Sequence, residues 1–305
     1  MSHENLAPSP QGATAKLPLL ATVDAAYAAV LRNVSQALRI SWVAGLVISG
    51  IAALWETLVK LWAPSWLPSD TGDSWPDLQS LPIYALLMVA LTFLPLPFIA
   101  AIAVGWHRFI LRGEMPGSLC GLAIDRRIWR YTGLGVLLAV RGVLVAVVPG
   151  MTVGLAGIGL IVLANVILPM RTALVSTNTL WIPAVAAPIL SAGLILVLGP
   201  YALARQMLLL PAMAIGNDAV NRRAALSATQ GNYWRLLAGL LMSTLPLFLA
   251  TTLIGFALAL PATGPAANAI WLFDLIVPVL ATLTGAGFLS LAYRHFFEPD
   301  TVLPA

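Results

Sequence analysis

The sequence predicts an all-α protein, a polytopic transmembrane helical bundle with about six spans and additional interfacial amphipathic helices. Of its 305 residues, 60% are hydrophobic and only 9% are charged, against roughly 25% charged in an ordinary soluble domain. Apolar runs long enough to cross a bilayer, about 20 residues each, recur along the chain. Nine of the sixteen lysines and arginines fall in two windows between such runs, which is typical of loops retained in the cytoplasm.

The amino-terminal region predicts a tail followed by an interfacial helix. Residues 1–16 are rich in Ser, Pro, Gly and Gln, and no basic region there leads into an apolar core as in a signal peptide. We therefore expect a disordered cytoplasmic tail. After it, Val23, Tyr27, Val30 and Val34 recur at spacings of four, three and four, which places an apolar stripe on one face of a helix.

The first two spans are predicted at Ala37–Trp62 and Leu81–Leu111. The connection between them carries three aspartates and no basic residue, so we expect it outside the cytoplasm. Gly113 and Pro116 are well placed to stop the second helix.

The middle of the chain allows more than one topology. Residues 131–149, 151–169 and 183–204 are three apolar runs, yet the loops on both sides are strongly basic. Three crossings would place one basic loop outside, so two crossings, and six spans rather than seven, are preferred. The surplus run would be a tilted extension or a half-membrane segment, with a helix break at Pro149–Gly150. Whether residues 150–182 span, re-enter or lie outside stays open.

The last two spans are predicted at Leu236–Leu260 and Ile270–Tyr293. A second interfacial helix is expected before them, at Asn217–Gln230, with Asn217 or Asp218 as its N-cap and Gly231 as its terminator. Residues 17–296 would form one helical membrane domain, and residues 297–305 would form a cytoplasmic tail.

Seven arginines near the predicted cytoplasmic surface are candidates for binding anionic lipid headgroups. They are Arg108, Arg112, Arg126, Arg127, Arg130, Arg222 and Arg223. The expected partners are the lipid bilayer and its anionic headgroups, with a membrane protein partner as an alternative. Nucleic acid is not expected, because the basic residues are spread over connections and helix ends.

Four ionisable residues are predicted within spans, where charge is costly and suggests a function. Arg141 lies near mid-depth of the third span. It is predicted either to form an anion or headgroup site or a gate, or to be a structural partner of a carboxylate or of a backbone carbonyl freed by a proline. Glu56 and Lys60 are four apart and can pair. Asp274 lies four residues before Pro278, and this proline removes the backbone hydrogen bond to the Asp274 carbonyl. The two residues could form a cation or proton site, or they could form an ordinary helix kink in which Lys60 is the partner of Asp274.

No enzymatic motif is found. The sequence has no HExxH, Walker loop, GxSxG elbow or metal-spaced acidic pair. The single cysteine, Cys120, excludes an internal disulfide and a cysteine-based zinc site. We predict no catalytic residue, no metal and no cofactor.

The sequence therefore predicts a non-enzymatic integral protein of the inner membrane, an envelope-associated accessory or lipid- or partner-binding protein with both termini cytoplasmic. One alternative is a small-solute or ion transporter that uses Arg141, Asp274 and proline-broken helices. A subunit of a larger membrane complex is the other.

Three stretches carry a resemblance: VGWHRFILRGE at residues 104–114, ARQMLLLPAMAI at 204–215 and TQGNYWRLL at 229–237. Together they resemble a family of poorly characterised bacterial six-span inner-membrane proteins grouped with YciC, and the membrane domain attached to some glycerophosphodiester phosphodiesterases. The resemblance covers residues 20–296. It implies a helical membrane domain with cytoplasmic ends, and it implies no catalytic residue, since the phosphodiesterase chemistry belongs to a separate soluble domain.

Overall fold

The computed structural model describes residues 16–62, 81–115, 125–167, 203–259 and 265–299. Within these ranges the chain is all-α, as predicted, with nine helices and no strand. The helices are α1 (Leu19–Arg32), α2 (Val34–Trp62), α3 (Leu81–Phe93), α4 (Leu96–Arg112), α5 (Arg126–Ile167), α6 (Leu209–Ile215), α7 (Arg222–Ala228), α8 (Tyr233–Ala259) and α9 (Pro265–Phe297).

Five helical segments in these ranges are long and apolar enough to cross a membrane. They are Val34–Val59, Ala85–Arg112, Arg126–Pro149, Tyr233–Ala250 and Ile276–Phe297. These segments coincide with the predicted first, second, third, fifth and sixth spans. The predicted fourth crossing, at residues 183–204, lies outside the described residues except for its last two. The predicted tail at 1–16, except for Lys16, the acidic connection at 63–80 and Cys120 also lie outside them.

A helix, α1, forms where the first interfacial helix was predicted, but it ends before Val34, which begins α2 and is exposed. In α1, Val23 and Val30 are buried together with Ala26, and Tyr27 is half-buried. This apolar stripe packs mainly against α8 and α9. The helix ends at Asn33, whose side-chain amide donates to the Ala29 carbonyl at 2.9 Å, and α2 begins at the next residue.

The second interfacial helix starts later than predicted. Gly216, with φ of 75°, ends α6 in a left-handed conformation that glycine adopts readily. The Asn217 carboxamide oxygen then accepts from the Ala219 N–H at 3.2 Å, so Asn217 belongs to a turn. Asn221, and neither Asn217 nor Asp218, is the N-cap of α7, and its side chain accepts from the Ala224 N–H at 3.0 Å. Gly231, the predicted terminator, lies in the turn before α8 with φ of 79°.

Two helix boundaries also differ from the prediction. The predicted second span consists of α3 and α4, separated by Leu94 and Pro95, although it ends at Gly113 as expected. The break predicted at Pro149–Gly150 is wrong, because α5 continues through both residues. A proline removes one backbone hydrogen bond without ending a helix when the neighbouring turns hold. The 42 residues of α5 extend over about 63 Å, so residues 151–167 continue the preceding run as an extension.

The basic end of the bundle is the end where the carboxyl termini of α4 and α9 meet. There, the Arg294 guanidinium on α9 donates to the Ile110 carbonyl on α4. The amino terminus of α5 lies at the same end, because Tyr131 contacts His107. A Cβ added at Gly105 of α4 would meet Ile40, which brings the amino terminus of α2 to this end.

Helix α8 also starts at the basic end. It runs antiparallel to α9, since its Gly239 faces Phe288 and its Ser243 carbonyl accepts from Thr284 at 2.7 Å. Helices α5 and α8 therefore both lead away from the basic end. Between α5 and α8 the chain returns to the basic end, because the Ala214 carbonyl there accepts from Arg127.

The buried core lies at the basic end. Trp106 and Leu17 are completely buried there, as are Phe288 and Tyr293 of α9, the helix around which the others pack. Farther along α2, α5 and α8, large apolar side chains such as Leu54, Leu144 and Leu253 are exposed. The described chain thus has a well-packed basic end and apolar outer surfaces beyond it.

Pro246 leaves a free carbonyl in α8, and Tyr27 binds it. A proline cannot donate to the carbonyl four residues earlier, which here belongs to Met242. The Tyr27 hydroxyl of α1 donates to the Met242 and Ser243 carbonyls, both at 3.1 Å. Burial raises the pKa of Tyr27 above its ordinary value of 10.0, so this hydroxyl keeps its proton at neutral pH.

We expect Tyr27→Phe to lower the free energy of unfolding by about 1 kcal/mol, because the Met242 carbonyl, which has no backbone donor at Pro246, loses the Tyr27 hydroxyl. In a Pro246→Ala background the same substitution should cost less, since the restored N–H at position 246 binds the Met242 carbonyl. The four proteins form a double-mutant cycle, measured by SDS titration of the purified chain in mild detergent. An equal cost of Tyr27→Phe in both backgrounds would show that the proline does not create this acceptor.

Candidate functional site

The two basic loops of the sequence meet on one surface of the basic end. Arg130 at the start of α5 lies 3.8 Å from Asp218, measured from Nη2 to Oδ1, in the loop after α6. Arg127 Nη1 is 3.5 Å from the Ala214 carbonyl. We call the set formed by Arg126, Arg127, Arg130, Arg222 and Arg223 the basic platform.

Local capping places these arginines in the first turns of two helices. Asp125 caps α5, accepting from the Arg127 and Ile128 N–H groups at 2.9 and 3.0 Å, and Asn221 caps α7. Arg126, Arg222 and Arg223 follow directly after the caps and are exposed. Within the described ranges, these three form no ion pair or side-chain hydrogen bond, so their charge is available to an external anion.

The other two headgroup candidates already bind carboxylates. Arg108 forms an ion pair with Glu114, and Arg112 lies 3.3 Å from Glu298. Exposed ion pairs of this kind contribute about 0–1 kcal/mol to stability. They nevertheless neutralise part of the charge, as the contact with Asp218 does for Arg130. Arg108 and Arg112 are therefore less suited to a headgroup than Arg126, Arg222 and Arg223.

Three further arginines have structural roles that sequence reasoning missed. Arg205 binds the Leu226 carbonyl and the Thr229 hydroxyl, the latter at 3.0 Å. Arg235 donates to the Leu17 carbonyl at 2.7 Å. Arg294 is almost fully buried against Ile110. These side chains hold tertiary contacts, although a charge count assigns them to cytoplasmic loops with the rest.

Arg141 faces an amide. It is half-buried on α5, and its Nη1 lies 3.5 Å from Gln206 Oε1, at the outer limit of a hydrogen bond. Gln206 itself is buried in the turn before α6. Among the described residues Arg141 therefore contacts neither a carboxylate nor a carbonyl freed by proline.

The other intramembrane candidates are only partly described. Glu56 is exposed on α2. Lys60 and Asp274 lie on α2 and α9, as their predicted spans require, but their side chains lie outside the described part of the structure. The proposed pairing of Lys60 with Glu56 or Asp274 therefore stays a prediction.

A buried polar network that we call the His107 network joins α4, α5 and α9. His107 is completely buried, with Nδ1 2.7 Å from the Ser290 hydroxyl and Nε2 3.1 Å from the Tyr131 hydroxyl. The Ser290 hydroxyl donates to the Ala286 carbonyl at 2.9 Å. Ser290 can then only accept from His107, so we assign the ring proton to Nδ1 and let Tyr131 donate to Nε2. With a neutral His107, each hydrogen bond of the His107 network has one donor and one acceptor.

The His107 network does not form an accessible catalytic pair. A cavity of about 270 Å³ lies between α4, α5 and α9, and Tyr131 lines it together with mostly apolar side chains such as Val136 and Leu289. His107 and Ser290 do not line the cavity, and both are completely buried. A nucleophile and its base need contact with a substrate, so this pair stabilises the fold instead.

Comparisons with known proteins add no assignment. No protein-family model, curated protein or solved structure matches the chain. The resemblance to YciC-like proteins and to the phosphodiesterase membrane domain therefore remains a prediction. Within the described residues, no group of three or more His, Cys, Asp or Glu side chains could hold a metal ion.

Proposed function

We propose that this chain is a non-enzymatic integral protein of the bacterial inner membrane that binds anionic lipid headgroups through the basic platform. The observation that carries the proposal is the meeting of two basic loops, with Arg126, Arg222 and Arg223 exposed and outside any described ion pair. Arginine binds phosphate oxygens well. The protein acts as an envelope-associated accessory protein, with the basic end and both termini in the cytoplasm.

The direction of the helices supports six crossings. Helices α5 and α8 both lead away from the basic end, so the chain crosses an odd number of times between them. After α5, the sequence has one long apolar run for this return, at residues 183–204. One return crossing added to the five described segments gives six. A seventh crossing would place one of the two basic loops on the other side, whereas Arg130 and Asp218 lie together.

Two exposed tryptophans support a position of the basic platform near a membrane surface. Trp129 lies between Arg127 and Arg130 and is 58% exposed, and Trp234 in the first turn of α8 is 66% exposed. Tryptophan is enriched where hydrocarbon meets headgroups. Nucleic-acid bases can also stack on exposed aromatic rings. Here, however, both indoles lie at the start of helical segments long and apolar enough to cross a membrane, which favours lipid over nucleic acid.

We expect the double variant Arg126→Gln/Arg222→Gln, one change from each loop, to bind anionic phospholipid about thirtyfold more weakly. Each near-surface arginine contributes about 1 kcal/mol, and 1.4 kcal/mol corresponds to a factor of ten. The measurement is a titration of the purified full chain with phosphatidylglycerol in mild detergent, read by native mass spectrometry at fixed salt.

The matched control is Arg108→Gln/Arg112→Gln, which removes the same formal charge from arginines already bound to Glu114 and Glu298. We expect a loss below about fivefold there, because much of that charge is already neutralised. Equal losses of affinity in the two double variants would show that the affinity depends only on net charge. Wild-type affinity in the platform variant would overturn the proposal.

The transporter alternative is less well supported. It relies on Arg141 and Asp274, and Arg141 contacts Gln206 and does not line the cavity between α4, α5 and α9. Flux of an ion or small solute in proteoliposomes that is lost in Arg141→Ala would support the transporter function.

A further inference from the structure

A long apolar groove runs between the start of α2 and the middle of α9. Its volume is about 400 Å³. Residues of α1, α2 and α9 line it, among them Val30, Leu38, Trp42, Leu46, Ile276 and Leu283. Leu38, Trp42 and Leu46 are each about half exposed. Ser41 also lines the groove, but its hydroxyl donates to the Ala37 carbonyl at 2.7 Å. This hydrogen bond within α2 satisfies the hydroxyl, so the groove is apolar even at Ser41.

The groove has the length of one leaflet. It follows α2 from Val34 to Leu46, and twelve residues of helix rise about 18 Å. Half of a hydrocarbon core of about 30 Å is about 15 Å. One acyl chain of the inner leaflet therefore matches the groove in length and in polarity.

Two exposed arginines directly follow groove-lining residues in the sequence. Arg32 ends α1 and follows Leu31, which lines the groove, and Arg39 follows Leu38, which also lines it. Both arginines are exposed, and neither forms an ion pair with any described residue. Polar side chains of the α1–α2 corner, such as Ser35, lie beside them in the sequence.

We propose that this groove is a binding site for one anionic phospholipid, with an acyl chain along α2 and α9 and the phosphate at Arg32 and Arg39. Charge complementarity selects this occupant: an apolar groove with two exposed arginines adjacent in sequence to its lining matches an amphiphile with an apolar tail and an anionic head. The inference rests on membrane insertion, as in the proposed function, but it uses no residue of the basic platform.

A photocrosslinking experiment tests the site. A benzoylphenylalanine is introduced in place of Leu46, inside the groove, or in place of Leu54, which is 48% exposed farther along α2 and outside it. The full chain is reconstituted in phosphatidylcholine vesicles containing a minor fraction of phosphatidylglycerol. We expect the Leu46 probe to capture phosphatidylglycerol well above its bulk fraction, and the Leu54 probe to capture the two lipids in the bulk ratio.

Arginine variants separate this site from the basic platform. Arg39→Gln should lower the capture of phosphatidylglycerol at the Leu46 probe about fivefold, the factor that corresponds to one near-surface arginine. Arg222→Gln should leave the capture of phosphatidylglycerol at the Leu46 probe unchanged. The groove can therefore be tested even if the basic platform does not bind lipid. The bulk lipid ratio at the Leu46 probe, no response to Arg39→Gln, or a crosslink to a second copy of the chain would each overturn the assignment.

Discussion

Replacing His107 by alanine is expected to lower the free energy of unfolding by about 3 kcal/mol, through two additive causes. The Tyr131 hydroxyl loses its acceptor, and an unsatisfied buried polar group costs about 1–3 kcal/mol. The removed ring also leaves a cavity among the fully packed side chains of α4 and α9, and such cavities add to the cost. SDS titration of the purified chain in mild detergent measures the change.

A partner substitution tests whether the loss comes from the hydrogen bonds. Tyr131→Phe alone leaves His107 Nε2 without a donor and should destabilise the protein by about 1 kcal/mol. In a His107→Leu background, Tyr131→Phe should be close to neutral or stabilising, because both ends of the hydrogen bond are then apolar. The coupling between the two positions should therefore be large. Additive effects would contradict the His107 network.

His295 provides a matched control. It lies one residue after Arg294 on α9, is half-buried, and its Nε2 has no hydrogen-bond partner among the described residues. We expect His295→Ala to cost less than about 1 kcal/mol, since no network is broken. A loss equal to that of His107→Ala would point to general loss of volume at the basic end.

The positions of the membrane-length helices could be predicted from sequence because they depend on composition over long windows. Any run of about 20 apolar residues is visible without knowledge of its neighbours. The apolar stripe of α1 was visible for a similar reason, since Val23 and Val30 share a face at helical spacing. Segments whose structure depends on one residue were predicted less well. The N-cap of α7 was predicted at Asn217 or Asp218, whereas Asn221 caps the helix, because the chain first leaves the preceding helix at Gly216 and turns at Asn217.

The roles of the arginines could not be predicted because a topology rule counts charges and ignores their contacts. Arg205 and Arg222 look alike in the sequence, yet the first binds the Leu226 carbonyl and the second is exposed. Contacts between residues far apart in the chain, such as Arg235 with Leu17, have no local signal.

His107 did have a local signal. No enzymatic motif of the sequence contains it, so it was not among the candidate residues. In the sequence, however, it continues the stripe formed by Ala100, Ala103, Val104 and Leu111, which are spaced as one helix face. All four are buried. The helical phase of a polar residue is thus better evidence of burial than its distance from the end of a span.

Gly239→Ala is expected to destabilise the protein by about 3 kcal/mol, at the upper end of typical overpacking costs. A Cβ at this position would overlap the Phe288 ring and would lie 3.0 Å from Leu19 Cδ1. Phe288 is completely buried, so its ring cannot swing away without moving its neighbours. Glycine at this point lets α8 and α9 approach closely, and small residues at membrane helix contacts have the same effect.

Gly50→Ala is the matched control for this glycine. It introduces the same methyl group in α2, where no atom lies within 4 Å of the added Cβ. Alanine favours a helix over glycine by about 1 kcal/mol, so this variant should be neutral or more stable. Phe288→Leu should recover part of the loss caused by Gly239→Ala, because the shorter side chain leaves room for the methyl group. If Gly239→Ala is as stable as Gly50→Ala in the SDS titration, the contact between α8 and α9 at Phe288 is not as close as described.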